Sequence, residues 1–142
     1  MTQEDKQLLL KDICARLPYG VKCCIYNFGE DTVRIKEDVL WSVQGDNILT
    51  LKSYVEKGEA YMYHQIKPYL FPLSSMTEEQ KYSCPIGIAN LETFIKNESW
   101  TYLELNPDSI LRFIDWLNAN HLDYRGLIEK GLAIDATGLG IY

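Results

Sequence analysis

Thr32-Val33-Arg34-Ile35-Lys36-Glu37-Asp38-Val39-Leu40-Trp41-Ser42-Val43-Gln44-Gly45-Asp46-Asn47 is the run that decides the class of fold. Val33 and Ile35 alternate with Arg34 and Lys36 at a period of two, the spacing of a strand that buries one face. The odd-numbered apolar face continues through Val39, Trp41 and Val43 and is broken only by Glu37. That break predicts a bulge near Glu37-Asp38 or two shorter strands. Gly45-Asp46-Asn47 has the residues of a tight hairpin, so Ile48 to Val55 is read as the returning strand. Upstream, Val21, Cys23 and Ile25 alternate with Lys22, Cys24 and Tyr26, and Gly29-Glu30-Asp31 makes a turn. The expectation is an antiparallel meander of three to four strands, one face covered by helices and the other partly wet.

Helical signals lie on either side of this meander. Leu9, Ile13 and Leu17 are spaced i, i+4, i+8, Thr2 and Asp5 form a capping box, and Pro18 and Gly20 stop the helix. A helix over about Gln3 to Leu17 follows. Pro68 and Pro72 bias the aromatic stretch from Glu56 to Leu73 toward extended chain. Thr77-Glu78-Glu79-Gln80 fits a second capping box, and Cys84-Pro85 ends that short helix. Ile88, Leu91, Phe94 and Ile95 define an amphipathic helix closing around Asn97. Asn106-Pro107 reads as N-cap plus N1 proline, and Ile110, Phe113, Ile114 and Leu117 form its apolar stripe to about Asn120. A last helix is predicted from Asp123, as N-cap, to Lys130, with Leu127 and Ile128 inward and Gly131 as the left-handed stop. Leu132 to Ile134 adds a short extended segment, and Gly138 to Tyr142 is read as loose. Together these make a single α+β domain over residues 1–142: an N-terminal helix, the meander, then a helical C-terminal half.

Composition narrows the function classes. With 142 residues, 46% hydrophobic and 24% charged, the chain can bury a real core without metals or disulfides. No apolar run is long enough to span a membrane. The polar, acidic start Met1-Thr2-Gln3-Glu4-Asp5 is not that of a signal peptide. Four cysteines without a C-x-x-C pair read as free thiols, with Cys14 on an apolar helix face, and point to the cytoplasm. The net charge is −6. Through Val55 there are seven basic and eight acidic residues, against seven and twelve from Glu56 onward, which argues against a nucleic-acid partner.

The densest chemistry lies in Asn120 to Gly131. His121 and Asp123 are the candidate catalytic pair of a small hydrolase or nuclease-like enzyme, with Cys84 or Tyr124 as a third group, because a carboxylate can orient an imidazole as general base. Each also has a structural reading: His121 stands at a helix C-terminus, where the dipole favours its charged form, and Asp123 is an N-cap. His64, His121, Asp123 and Glu129 lack zinc-ligand spacing, and no nucleotide-binding or cofactor motif is present. Arg125 and Glu129, at i, i+4, are placed to pair across the helix surface. The last two helices also suit a helix-turn-helix of a DNA-associated regulator, with Arg125 reaching a base edge, but they lack a basic excess. Tyr61, Tyr63, Tyr69 and Phe71 form either a binding platform or a proline-braced segment folded over the core, with Tyr124 and Arg125 as further candidate binding residues.

Lys67-Pro68-Tyr69-Leu70-Phe71-Pro72-Leu73-Ser74-Ser75-Met76-Thr77-Glu78-Glu79-Gln80 and Asp123-Tyr124-Arg125-Gly126-Leu127-Ile128-Glu129-Lys130-Gly131-Leu132-Ala133, together with Gln7 to Tyr19, resemble small uncharacterised proteins of gut Bacteroidales and their phages or mobile elements. The resemblance covers about half of the chain, carries no catalytic motif, and implies a bacterial or phage cytoplasmic setting. The functional expectation is a non-catalytic protein-interaction module with a protein partner and no cofactor.

Overall fold

The computed structural model describes residues 1–27, 34–55, 60–97, 99–100, 103 and 105–142. Helix α1 (Gln3–Arg16) opens on the expected capping box: the Thr2 hydroxyl accepts from Asp5 N–H at 3.0 Å, and the Asp5 carboxylate accepts from Thr2 N–H at 3.2 Å. A single 3-10 turn, Leu17–Tyr19, ends at Gly20 with φ 64°. Strand β1 (Lys22–Asn27) and strand β2 (Arg34–Gln44) pair antiparallel, and a two-residue turn leads to β3 (Asn47–Thr50). Gly45 takes the positive φ, 63°, that such a turn needs. Gly29 to Val33 and the side chains of Arg34, Ile35 and Lys36 lie outside the described residues, so their expected turn and alternation do too.

The strand prediction differs from the structure in two places. The bulge lies between Leu40 and Ser42, not at Glu37-Asp38. Trp41 is the extra residue, 47% exposed, whereas Leu40 is buried. The physical gain is that Leu40 and Val43, three apart, reach the same core. The returning strand also stops at Thr50, where α2 (Leu51–Val55) begins. Asp38 on β2 caps it, accepting from Lys52 N–H at 3.2 Å as well as from Val39 N–H at 2.8 Å.

Beyond β4 (Tyr61–Met62), the proline-containing stretch Ile66–Pro72 is strand β5. Then come α3 (Glu78–Tyr82), α4 (Ile88–Asn97) and α5 (Pro107–Ala119). Thr77 and Gln80 form the capping box of α3, and Asn106 accepts from Ser109 N–H at 2.9 Å to cap α5, with Pro107 at N1. Two short strands, β6 (Leu122–Asp123) and β7 (Ile134–Asp135), complete the chain. Among the described residues the sheet is mixed and seven-stranded, in the order β4-β3-β2-β1-β5-β6, with β7 also on β5. The meander is its antiparallel part; β6 and β7 run parallel to β5. The architecture is α+β. Among the described residues no helix is long and apolar enough to cross a membrane.

Three cores follow. Leu9 and Ile13 of α1 press onto Cys23, Ile25, Leu40, Ile48, Ile66 and Leu70 of the sheet. A second core joins α4 and α5 through Phe94, Phe113, Leu91 and Leu117, and Trp100 and Trp116 pack against the same rings. A third lies on the opposite face of β1 and β5, where Cys24 and Tyr69 meet Ala136 and Ile141. The tail is therefore seated rather than loose. Tyr142 donates its hydroxyl to Tyr69 C=O and accepts from Lys22 N–H, both at 2.9 Å. It thereby covers part of the face expected to be wet.

The predicted last helix does not form. His121 C=O accepts from Phe71 N–H at 2.8 Å, which draws Leu122–Asp123 into the sheet. Gly126, at φ 72°, then takes a conformation that no helix interior allows. A single turn remains, and its stop signal was correctly placed. Gly131 N–H donates to Ile128 C=O at 3.0 Å and Leu132 N–H to Leu127 C=O at 2.8 Å, the paired bonds of a Schellman closure with Gly131 left-handed.

Candidate functional site

A groove of about 780 Å³ opens at the carboxyl ends of the parallel pair β5 and β6. Pro72 and Leu73 form one wall, Phe94 and Ile95 of α4 another, and the segment from Asp123 to Lys130 the third. This is where open sheets with parallel strands tend to take ligands, because the connecting segments diverge there.

A buried ionic seam holds the third wall in place. Asp12 and Arg16, at i, i+4 on α1, are fully buried and pair at 2.7 Å through Nε and 3.1 Å through Nη2. Arg16 Nη2 also donates to Leu122 C=O at 2.7 Å, pinning β6 to the helix. The same Asp12 carboxylate accepts from Arg125 Nη1 at 3.2 Å. Arg125 thus pairs with Asp12 instead of Glu129. Both guanidinium carbons lie near the Tyr124 ring centre, 5.4 Å away for Arg16 and 4.8 Å for Arg125, and the Tyr124 hydroxyl donates to Asn118 Oδ1 at 3.1 Å. Cation–π contact of this kind adds about 0.5–2 kcal/mol, more as water is excluded. Burial raises the Tyr124 phenol above its usual range, so it stays protonated as the donor.

Asp123 stabilises the loop. Both carboxylate oxygens are occupied: Oδ1 accepts from Leu127 N–H at 2.9 Å and Oδ2 from Ile128 N–H at 2.8 Å. It caps a turn, as the sequence suggested for a helix, but across the excursion of Tyr124, Arg125 and Gly126. His121 lies elsewhere. Its ring stacks on Tyr142, with centroids 3.9 Å apart and planes at 12°. It follows the end of α5, as expected, but burial, with the Arg16 and Lys22 charges adding to it, pushes its pKa down to about 4, so it is neutral at pH 7. Its Nδ1 is buried and makes no hydrogen bond among the described residues. The hydrogen bonds of His121 and Asp123 therefore do not join them into an acid–base pair. Cys84, the proposed third group, is buried in the second core, and burial raises its thiol.

The aromatic candidates divide between the two sides of the sheet. Tyr61 and Tyr63 pack against the core under α1, with Lys6 Nζ 4.6 Å from the Tyr63 ring centre. Tyr69 is buried and Phe71 half-buried against the tail. They do not converge on one platform. The DNA-recognition geometry is also missing, since the second helix it requires is replaced by β6 and a single turn. Among the described residues no group of three or more His, Cys, Asp or Glu is placed to hold a metal. All four cysteines are free; Cys14, expected on an apolar face, is exposed.

Sequence reading missed Phe94 and Ile95 as groove walls and Asp12 and Arg16 as the seam. One signal for the seam was present. Leu9, Asp12, Ile13 and Arg16 share an arc of about 100° on the helix, so the charged pair sits on the apolar stripe instead of opposite it. No protein-family model, curated protein sequence or solved structure matches the chain.

Proposed function

We propose that the protein is a non-catalytic interaction module that docks a protein partner in the groove walled by Leu73, Phe94, Ile95 and the Asp123–Lys130 loop. One observation carries this reading. The acid–base residues are committed to structural bonds, Asp123 to two backbone N–H groups and His121 beneath Tyr142, while the groove keeps an apolar lining beside a partly exposed guanidinium. A concavity that sets apolar walls beside a few fixed polar groups is the usual form of a binding site. A cytoplasmic setting, read from the cysteines and the resemblance, and a phage or mobile-element one, read from the resemblance alone, belong to the same proposal.

Photo-crosslinking in the native host tests it. A benzoylphenylalanine in place of Ile95 is expected to trap one discrete protein adduct, competed away by unlabelled protein. The same probe in place of Leu111, an exposed position on α5 outside the groove lining, is expected to trap none. No adduct from position 95, or the same adduct from both positions, would overturn the reading.

A further inference from the structure

Among the charged groups of the groove, Arg125 has donor capacity to spare. Asp123 has spent both oxygens on backbone N–H groups, and Lys130 and Glu129 sit exposed on the same loop with opposite charges. Arg125 carries five N–H donors and gives one nitrogen to Asp12, its one ion-pair partner among the described residues. None of its nitrogens is both buried and unpartnered, although its side chain is only 18% exposed. Behind it, one carboxylate serves two guanidiniums, and Arg16 Nη1 is buried without an acceptor. Asp12, Arg16 and Arg125 together thus carry a net charge of +1. Arg125 is the member of that cluster that lines the groove.

The geometry points to a carboxylate as the group that completes this cluster. We infer, resting on the docking proposal above, that the occupant is an acidic–apolar peptide segment. Its Glu or Asp side chain accepts from Arg125, and a neighbouring large apolar side chain packs on Leu73, Ile95 and Ile128, the half-buried apolar residues of the lining. Asp12 and the Tyr124 ring hold the guanidinium in position beforehand, so little side-chain entropy is lost on binding. Asp12 and Arg125 are thus positioning and binding residues respectively.

The test uses the whole chain, labelled with nitrogen-15, and three probes. The first is a pool of C-terminally amidated pentapeptides with central glutamate flanked by leucine or phenylalanine. The second is the same pool with central glutamine, and the third is a five-nucleotide oligothymidylate. Saturable shifts of the Leu73, Ile95, Arg125 and Ile128 amides are expected with the glutamate pool. Affinity should be about tenfold or more lower for the glutamine pool, the worth of one charge-assisted hydrogen bond. Arg125→Gln should abolish that preference. Arg125→Lys, which keeps the charge beside Asp12, should retain part of it, so loss of fold and loss of recognition are told apart by the two spectra. Equal shifts with both pools would overturn the carboxylate inference and leave the docking groove standing. Groove shifts with the oligonucleotide alone, or none with either pool, would also overturn it, and the crosslinking result would judge the docking reading separately.

Discussion

Helix α1 is buried on two neighbouring sides by opposite chemistry. Leu9 and Ile13 meet an aliphatic sheet face, where each fully buried side chain contributes about 1.5–3 kcal/mol and many neighbours would serve equally well. Asp12 and Arg16 meet Arg125 and the Leu122 carbonyl, where only particular partners at particular distances will do. The apolar side fixes where the helix lies on the sheet. The ionic side fixes where a loop 113 residues away sits over the groove. Apolar burial builds the fold here, while the ionic seam adds position, at the cost of desolvating three charged groups.

The strongest challenge to this contrast is Asp12→Asn. It leaves two guanidiniums without their shared carboxylate and is expected to cost about 3–5 kcal/mol in urea unfolding. It should also speed amide exchange in residues 124–131. Unchanged exchange there would mean that the seam does not position the loop. On the other side, Ile13→Ala should cost about 2–4 kcal/mol by cavity formation, with exchange at 124–131 unaltered. Matching exchange profiles for the two variants would erase the distinction.

A smaller effect comes from His121, which the seam's charge helps to keep neutral. Its folded pKa, about 4, lies below the ordinary histidine value of 6.5, so between these the unfolded chain binds more protons. Stability contributed by neutral His121 is therefore full above pH 6.5 and is lost as the pH falls toward 4. Allowing for partial exposure, the loss is about 1–2 kcal/mol. His121→Asn, which suits the positive φ of 56°, should flatten that part of the pH–stability curve, and an unchanged slope would assign it to other groups. Smallest is Gly126→Ala. A Cβ there meets nothing within 4 Å, so the cost is conformational alone, about 1 kcal/mol by thermal unfolding. A neutral result would show the loop shifting to accommodate it.

Helix starts were legible because their signals are local: Thr2 with Asp5, Thr77 with Gln80, and Asn106 with Pro107 lie within four residues of one another. What escaped was decided at a distance. Leu122 and Asp123 became a strand because β5 offered an edge, and the intended last helix shrank to one turn after Gly126. Alternation placed Trp41 inward, but contact with the α1 core selected Leu40 and Val43 and displaced the tryptophan. The ionic seam was half visible as Asp12 and Arg16. Nothing nearby in sequence named Arg125 as the third member. Of the polar residues of 120–131, Asp123 to Lys130 wall the groove, yet His121 faces the tail and Asp123 is spent on the backbone.

The Tyr142 hydroxyl stands between Lys22 N–H and Tyr69 C=O, one step beyond the β1–β5 pair Cys23↔Pro68. A phenol there takes the place that a direct ladder bond would fill. The Lys22 amide consequently serves as a clock for the tail. Each time the last residues lift away, that one proton meets solvent while the rest of β1 stays closed. Its exchange rate would report the undocking equilibrium of the tail separately from global unfolding.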